Sequence, residues 1–144
     1  MNTRDSRRDS RAMGAVGAAL VLLLLLASPA AATPQEPQTL TPEEAADHIG
    51  EEAKVCGDVV ATDHVPTLEG EPSFLNFGGA YPDQVFTVAV FAENAGKFKR
   101  PPHRLFRNKS LCATGTIVMV EGKPRIVVSE PDAIEVVGDE SRRR

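Results

Sequence analysis

Twenty-seven residues near the carboxyl end, Leu111–Val137, leave this chain few choices of fold. They read LCATGTIVMVEGKPRIVVSEPDAIEVV. Two apolar, β-branched runs, Leu111–Val120 and Arg125–Val128, flank Glu121-Gly122-Lys123-Pro124, which predicts a hairpin closed by a Gly-bearing loop of a few residues. A third apolar piece, Ala133–Val137, follows the break at Pro131 and is read as an extension of the last strand. The hairpin also sets the phase in which the earlier strands are read.

From Ala53 the apolar period is two, with Val55, Gly57, Val59 and Ala61 on one face and Lys54, Cys56, Asp58 and Val60 on the other. Gly57 in the middle of this first strand predicts a bend or bulge. Thr62–Pro72, with Pro66, Gly70 and Pro72, reads as a loop. Ser73–Phe77 is a second strand, Gly78–Asp83 a turn, and Val85–Phe91 a third strand with Phe86, Val88 and Val90 inward. Glu93–Ser110 is a long connection interrupted by Pro101-Pro102, in which Phe98, Leu105 and Phe106 can anchor a helical turn or two. Ahead of the strands, Thr41-Pro42-Glu43-Glu44 is a capping box opening a short helix that Gly50 ends, with Ala45, Ala46 and Ile49 as its inward residues.

Three strands, an irregular or helical crossover and two more strands define the expected fold class. It is mainly β, a five-stranded Greek-key barrel of the oligonucleotide/oligosaccharide-binding (OB) type with a short N-terminal helix. Closing the sheet also removes the long edges that so small a chain could not otherwise cover.

The ends carry their own signals. Residues 1–32 have Arg4, Arg7, Arg8 and Arg11, then the apolar Ala12–Ala27, then Ala30-Ala31-Ala32, which is the layout of an export signal cleaved after Ala32. The apolar run is shorter than the roughly 20 residues of a spanning helix, so cleavage is expected and no membrane attachment thereafter. No cysteine follows it to take a lipid, and Asp9-Ser10 after Arg7-Arg8 does not fit twin-arginine export. The expected layout is signal peptide 1–32, flexible lead-in 33–40, OB domain 41–138 and disordered charged tail 139–144. Without the signal's four arginines and two aspartates, 12 basic and 18 acidic side chains remain. Such an acidic domain has no general attraction for polyanions, so any such site has to be a local patch.

Several stretches resemble a known family. His48-Ile49-Gly50-Glu51 leading into Val55-Cys56-Gly57-Asp58-Val59, then Phe74-Leu75-Asn76-Phe77-Gly78, Phe86-Thr87-Val88, Thr114-Gly115-Thr116-Ile117 and Pro124-Arg125-Ile126-Val127-Val128 are similar to the small exported bacterial OB-fold domains. The resemblance runs over nearly all of the chain after Leu40. It implies a nucleic-acid-binding, or DNA-binding, module of the kind found alone or attached to secreted nucleases, located in the periplasm or outside the cell.

Cys56 and Cys112 are an even pair in a chain read as exported, where disulfides persist. Each lies opposite the apolar face of its strand, and the first and fourth strands of such a barrel are neighbours, so a Cys56–Cys112 disulfide is expected. His48, His64 and His103 are scattered, with no CxxC or HxxxH spacing, so neither a metal nor another cofactor is expected. Asp58, Asp63, His64, Asp83 and Glu93 form no pair at a spacing that hydrolysis would demand, and no catalytic residues are assigned.

Binding residues are drawn from two places. Lys97–Lys109, KFKRPPHRLFRNK, holds Lys97, Lys99, Arg100, Arg104, Arg107 and Lys109 with no acid, and is the candidate for phosphate contacts. Phe98 and Phe106 within it read as anchors. On the second and third strands, Phe74, Asn76, Thr87 and Phe91 point outward, where OB domains lay single strands and stack bases. The competing position for Phe74 and Phe91 is packed under the 62–72 loop or the crossover. Nucleic acid is therefore the expected partner, with a secreted nuclease or another envelope protein as the alternative. That alternative makes the chain a protein-interaction or small-ligand OB module, and it draws on the acidic balance and sparse aromatics.

Overall fold

The computed structural model describes residues 33–138, so the expected signal peptide and the charged tail lie outside the described residues. Seven strands are present among the described residues: β1 (Gln38–Leu40), β2 (Glu52–His64), β3 (Ser73–Phe77), β4 (Phe86–Val90), β5 (Ser110–Val120), β6 (Lys123–Val127) and β7 (Ile134–Val136). Two single-turn helices, α1 (Ala92–Ala95) and α2 (Pro102–Leu105), lie between β4 and β5. Five of the strands pair in the order β2-β3-β4-β6-β5, and β5 pairs back onto β2. This is a closed OB-type barrel with its crossover between the third and fourth barrel strands.

Alternation decides what fills it. Val55, Val59, Leu75, Phe77, Phe86, Val88, Leu111, Ile117 and Ile126 are all buried in one cluster, and Phe77 and Phe86 meet across β3 and β4 with ring centroids 5.4 Å apart. Phe98 and Phe106 from the crossover join that cluster, edge to face at 5.9 Å, and so act as the anchors their spacing implied. Cys56 and Cys112 face each other in the β2–β5 register and are joined, with Cα atoms 4.0 Å apart. On that outer face an ion pair between Lys54 and Glu135 (2.8 Å) reaches from β2 to β7 across β5, and Cys112 is only 5% exposed.

The structure revises several details. β2 continues through Thr62–His64, which the proline-rich sequence assigned to a loop, because those residues pair with Leu75, Phe74 and Ser73. The bulge falls at Val60, between the pairs Val59–Phe77 and Ala61–Asn76, and not at Gly57. Gly57 serves close approach instead: a Cβ there would stand 2.7 Å from Pro42 Cγ and 3.1 Å from the Phe77 ring. The capping box forms, with the Thr41 amide donating to Glu44 Oε2 (2.8 Å) and the Glu44 amide to Thr41 Oγ1 (3.4 Å). The turn it opens, Glu44–His48, is 3-10 and buries Ala45 alone, leaving Ala46 and Ile49 outside.

The β5–β6 hairpin is tighter than expected. Its loop is Glu121-Gly122, both with positive φ (51° and 76°), the pattern whose twist matches a right-twisted hairpin. The lead-in is not wholly irregular, since Gln38–Leu40 pairs in parallel with Ala53–Val55 and Leu40 enters the core. Ile134–Val136 does not extend β6; it pairs antiparallel with Leu111–Ala113. Both additions have one cause. β2 and β5 are 13 and 11 residues long, β3 and β6 only five, so each long strand has an edge that its short neighbour cannot cover.

Candidate functional site

On the outer face of β2, β3, β4 and β6 the barrel carries a cleft of about 610 Å³. Register builds its floor. Asn76, Thr87 and Arg125 are in line across β3, β4 and β6, and Asp63 is opposite Phe74 on β2 and β3. Asn76 Nδ2 donates to Asp63 Oδ2 (2.9 Å) and Thr87 Oγ1 donates to Asn76 Oδ1 (3.0 Å). Asn76 and Thr87 do face away from the core, as alternation required, but each is only 2% exposed. They are a fixed floor and not open ligand contacts, because each spends its hydrogen bonding on its neighbour.

The open surfaces come from residues that the sequence did not single out. Arg125 on β6 places its guanidinium carbon 4.9 Å from the centroid of the Phe74 ring on β3, with β4 the intervening strand. Burial lowers the guanidinium's pKa from its ordinary value and nearby Glu121 counteracts this, but an arginine stays charged. Its Nε is buried without a partner, as is Gln84 Oε1 beside the same cleft. Tyr81, 69% exposed, stands on the rim with Leu68. Arg125 is out of phase with the buried Ile126 and Val128, and its proximity to Phe74 follows from the parallel β4–β6 pairing, which local sequence does not report.

Phe91 does not join this group. It lies one residue past β4, and its ring packs so close to Gly70 that a Cβ there would come within 2.6 Å of it. This is the position under the 62–72 loop, in a groove that also holds Glu69, Glu71 and Glu93, surroundings that repel a phosphate.

The basic crossover runs beside the β2 end of the cleft. Arg107 Nε donates to Thr62 Oγ1 (3.3 Å), and His103 stacks on His64 at 4.9 Å. His64 lines both the cleft and a second pocket that includes Lys99, Arg100 and His103. Lys97 is tied to Glu130 and to the Ser129 carbonyl. Among the described residues Lys99, Arg100, Arg104, Arg107 and Lys109 have no carboxylate at ion-pair distance. No cluster of three or more His, Cys, Asp or Glu side chains able to hold a metal occurs among the described residues.

Such a site offers a planar platform with a cation on it, two unpartnered polar atoms, and a cationic strip at one end. No protein-family model matches the sequence, and the comparison with curated proteins finds no match. Among solved structures the chain is similar to the crystal structure of a Leishmania major Friedlin protein assigned as an aspartyl-tRNA synthetase, at 13% identity and a TM-score of 0.46. The match covers 78% of this chain and 23% of that one. A likeness of that size carries no argument about ligand or activity.

Proposed function

We propose that this chain is an exported, non-enzymatic OB module that binds single-stranded nucleic acid. Bases lie across the β3–β4 face, one of them in the cleft against Phe74, Arg125 and Tyr81. Phosphates follow Lys99, Arg100, Arg104, Arg107 and Lys109. The observation that carries this reading is the Arg125–Phe74 platform on the barrel's outer face with an acid-free cationic strip at its β2 end. Base stacking is sequence-tolerant and phosphate contacts are salt-sensitive, so the pair of features fits a binder of low sequence preference. Fluorescence anisotropy with a labelled oligonucleotide tests it: binding that weakens steeply as salt rises is expected, and no binding at low salt would sink it.

A second reading has one observation in its favour. Asp63 and Glu121 both line the cleft, against the single guanidinium of Arg125. A cell-envelope protein segment or a small ligand with a positive group would use them. Retention of a protein partner by a variant with Arg104 and Arg107 reversed to glutamate favours that reading, because the first reading uses those two residues to hold phosphates.

A further inference from the structure

A second pocket, about 410 Å³, opens between the β2 end of the cleft and the crossover. Its wall is an imidazole pair, His64 from β2 and His103 from α2, stacked at 4.9 Å with 12° between the ring planes. Both Nδ1 atoms face the buried hydroxyl of Ser73, at 3.4 and 3.2 Å. That hydroxyl has one proton, so it can donate to one ring only and accepts from the other. Two neutral rings satisfy it.

The surroundings oppose a proton on the His103 ring. The crossover contributes Lys99 and Arg100 to the same pocket, with Arg104 and Arg107 close by, none of them paired with a carboxylate among the described residues. The opposing acids are Glu71, from the loop before β3, and Asp63, beside His64 on β2 and already bonded to the Asn76 amide. β3 supplies only the Ser73 hydroxyl. Burial first, then His64, Arg104 and Arg107, hold the His103 pKa below its ordinary value. An anion in the pocket reverses that balance, because it neutralises the crossover charges and attracts the imidazolium.

We propose that the His64–His103 pocket is a phosphate site whose occupation takes up a proton at His103, so that binding of phosphodiesters tightens as the medium becomes acidic. The proton comes from water and goes to the unprotonated nitrogen of the ring. No bond to phosphorus forms or breaks. The pocket serves the polymer reading given above, but its chemistry requires only a phosphate group.

The test is proton NMR of the histidine C2–H signals of the full chain through a pH titration, alone, with trimetaphosphate, and with single-stranded oligo-dT. Trimetaphosphate has no group titrating near neutrality. The chain has three histidines, and His48, held by Glu51 at 2.8 Å outside the pocket, is the internal reference. Each ligand is expected to raise the His103 midpoint by about one pH unit, equivalent to roughly tenfold tighter binding when the ring is charged. In His103→Gln the affinity gain on acidification disappears. A His103 response to trimetaphosphate without oligonucleotide binding supports the phosphate site and overturns the nucleic-acid reading. Oligonucleotide binding with an unmoved His103 overturns the site and leaves that reading standing. No response to either ligand overturns both.

Discussion

Arg125 and Phe74, on strands separated by β4, meet with the guanidinium carbon 4.9 Å from the ring centroid. The contact keeps a flat cation and a ring together on the outer face of the barrel. Stacking a base on such a ring is worth about 1–3 kcal/mol by alanine substitution. Phe74→Ala is therefore expected to weaken oligonucleotide binding by roughly 5- to 150-fold at fixed salt. Arg125→Lys keeps the charge and loses the plane, so affinity should fall while the salt dependence is retained. Anisotropy titrations of the two variants check both statements.

The crossover variants should behave in the opposite way. Neutralising Arg104, Arg107 and Lys109 together removes up to three phosphate contacts, each worth about 0.7 in the slope of log affinity against log salt for a single strand. The slope is expected to become shallower by about 2. An unchanged slope would place the phosphates elsewhere.

Much of the fold is legible in the sequence. Period-two alternation placed Val55, Val59, Leu75, Phe86, Val88 and Ile117 inside, and the phase of the two cysteines correctly joined Cys56 to Cys112. β1 and β7 were missed as separate strands because three residues carry no period; their pairing is dictated by the uncovered edges of β2 and β5. The candidate site was legible only in outline. Alternation gave the outward face of Phe74, Asn76 and Thr87, but burial of the latter two depends on neighbours brought in by long-range register. Arg125 and Gln84 enter the cleft for the same reason, and no local spacing marks them.

The disulfide joins residues 56 apart in sequence, on the two longest strands. Closing a loop of that length contributes about 2–4 kcal/mol through the unfolded chain. Replacing both cysteines with alanine should reduce unfolding free energy by about that amount in urea melts. Adding reductant to that variant should change nothing further.

Stability is expected to fall in two steps as the medium is acidified. With its pKa held below the ordinary 6.5, His103 stays neutral in the fold while the unfolded chain takes up the proton. Its contribution is complete above pH 6.5 and is lost as pH falls through the lower folded value. The carboxyls of Glu44, held down by the Thr41 amide, and Glu135, held down by Lys54, have ordinary values of 4.5, so their loss comes later. Thermal melts between pH 8 and 3 check this, and His103→Gln should remove the first step alone.

Placement of the ligand is tested most directly by amide chemical-shift mapping of the full chain with single-stranded oligo-dT at low salt. Shifts should cluster on Phe74, Thr87, Arg125 and the Lys99–Lys109 crossover and leave the Lys54–Glu135 face still. An unchanged spectrum, or shifts confined to that opposite face, would contradict a strand lying across β3 and β4.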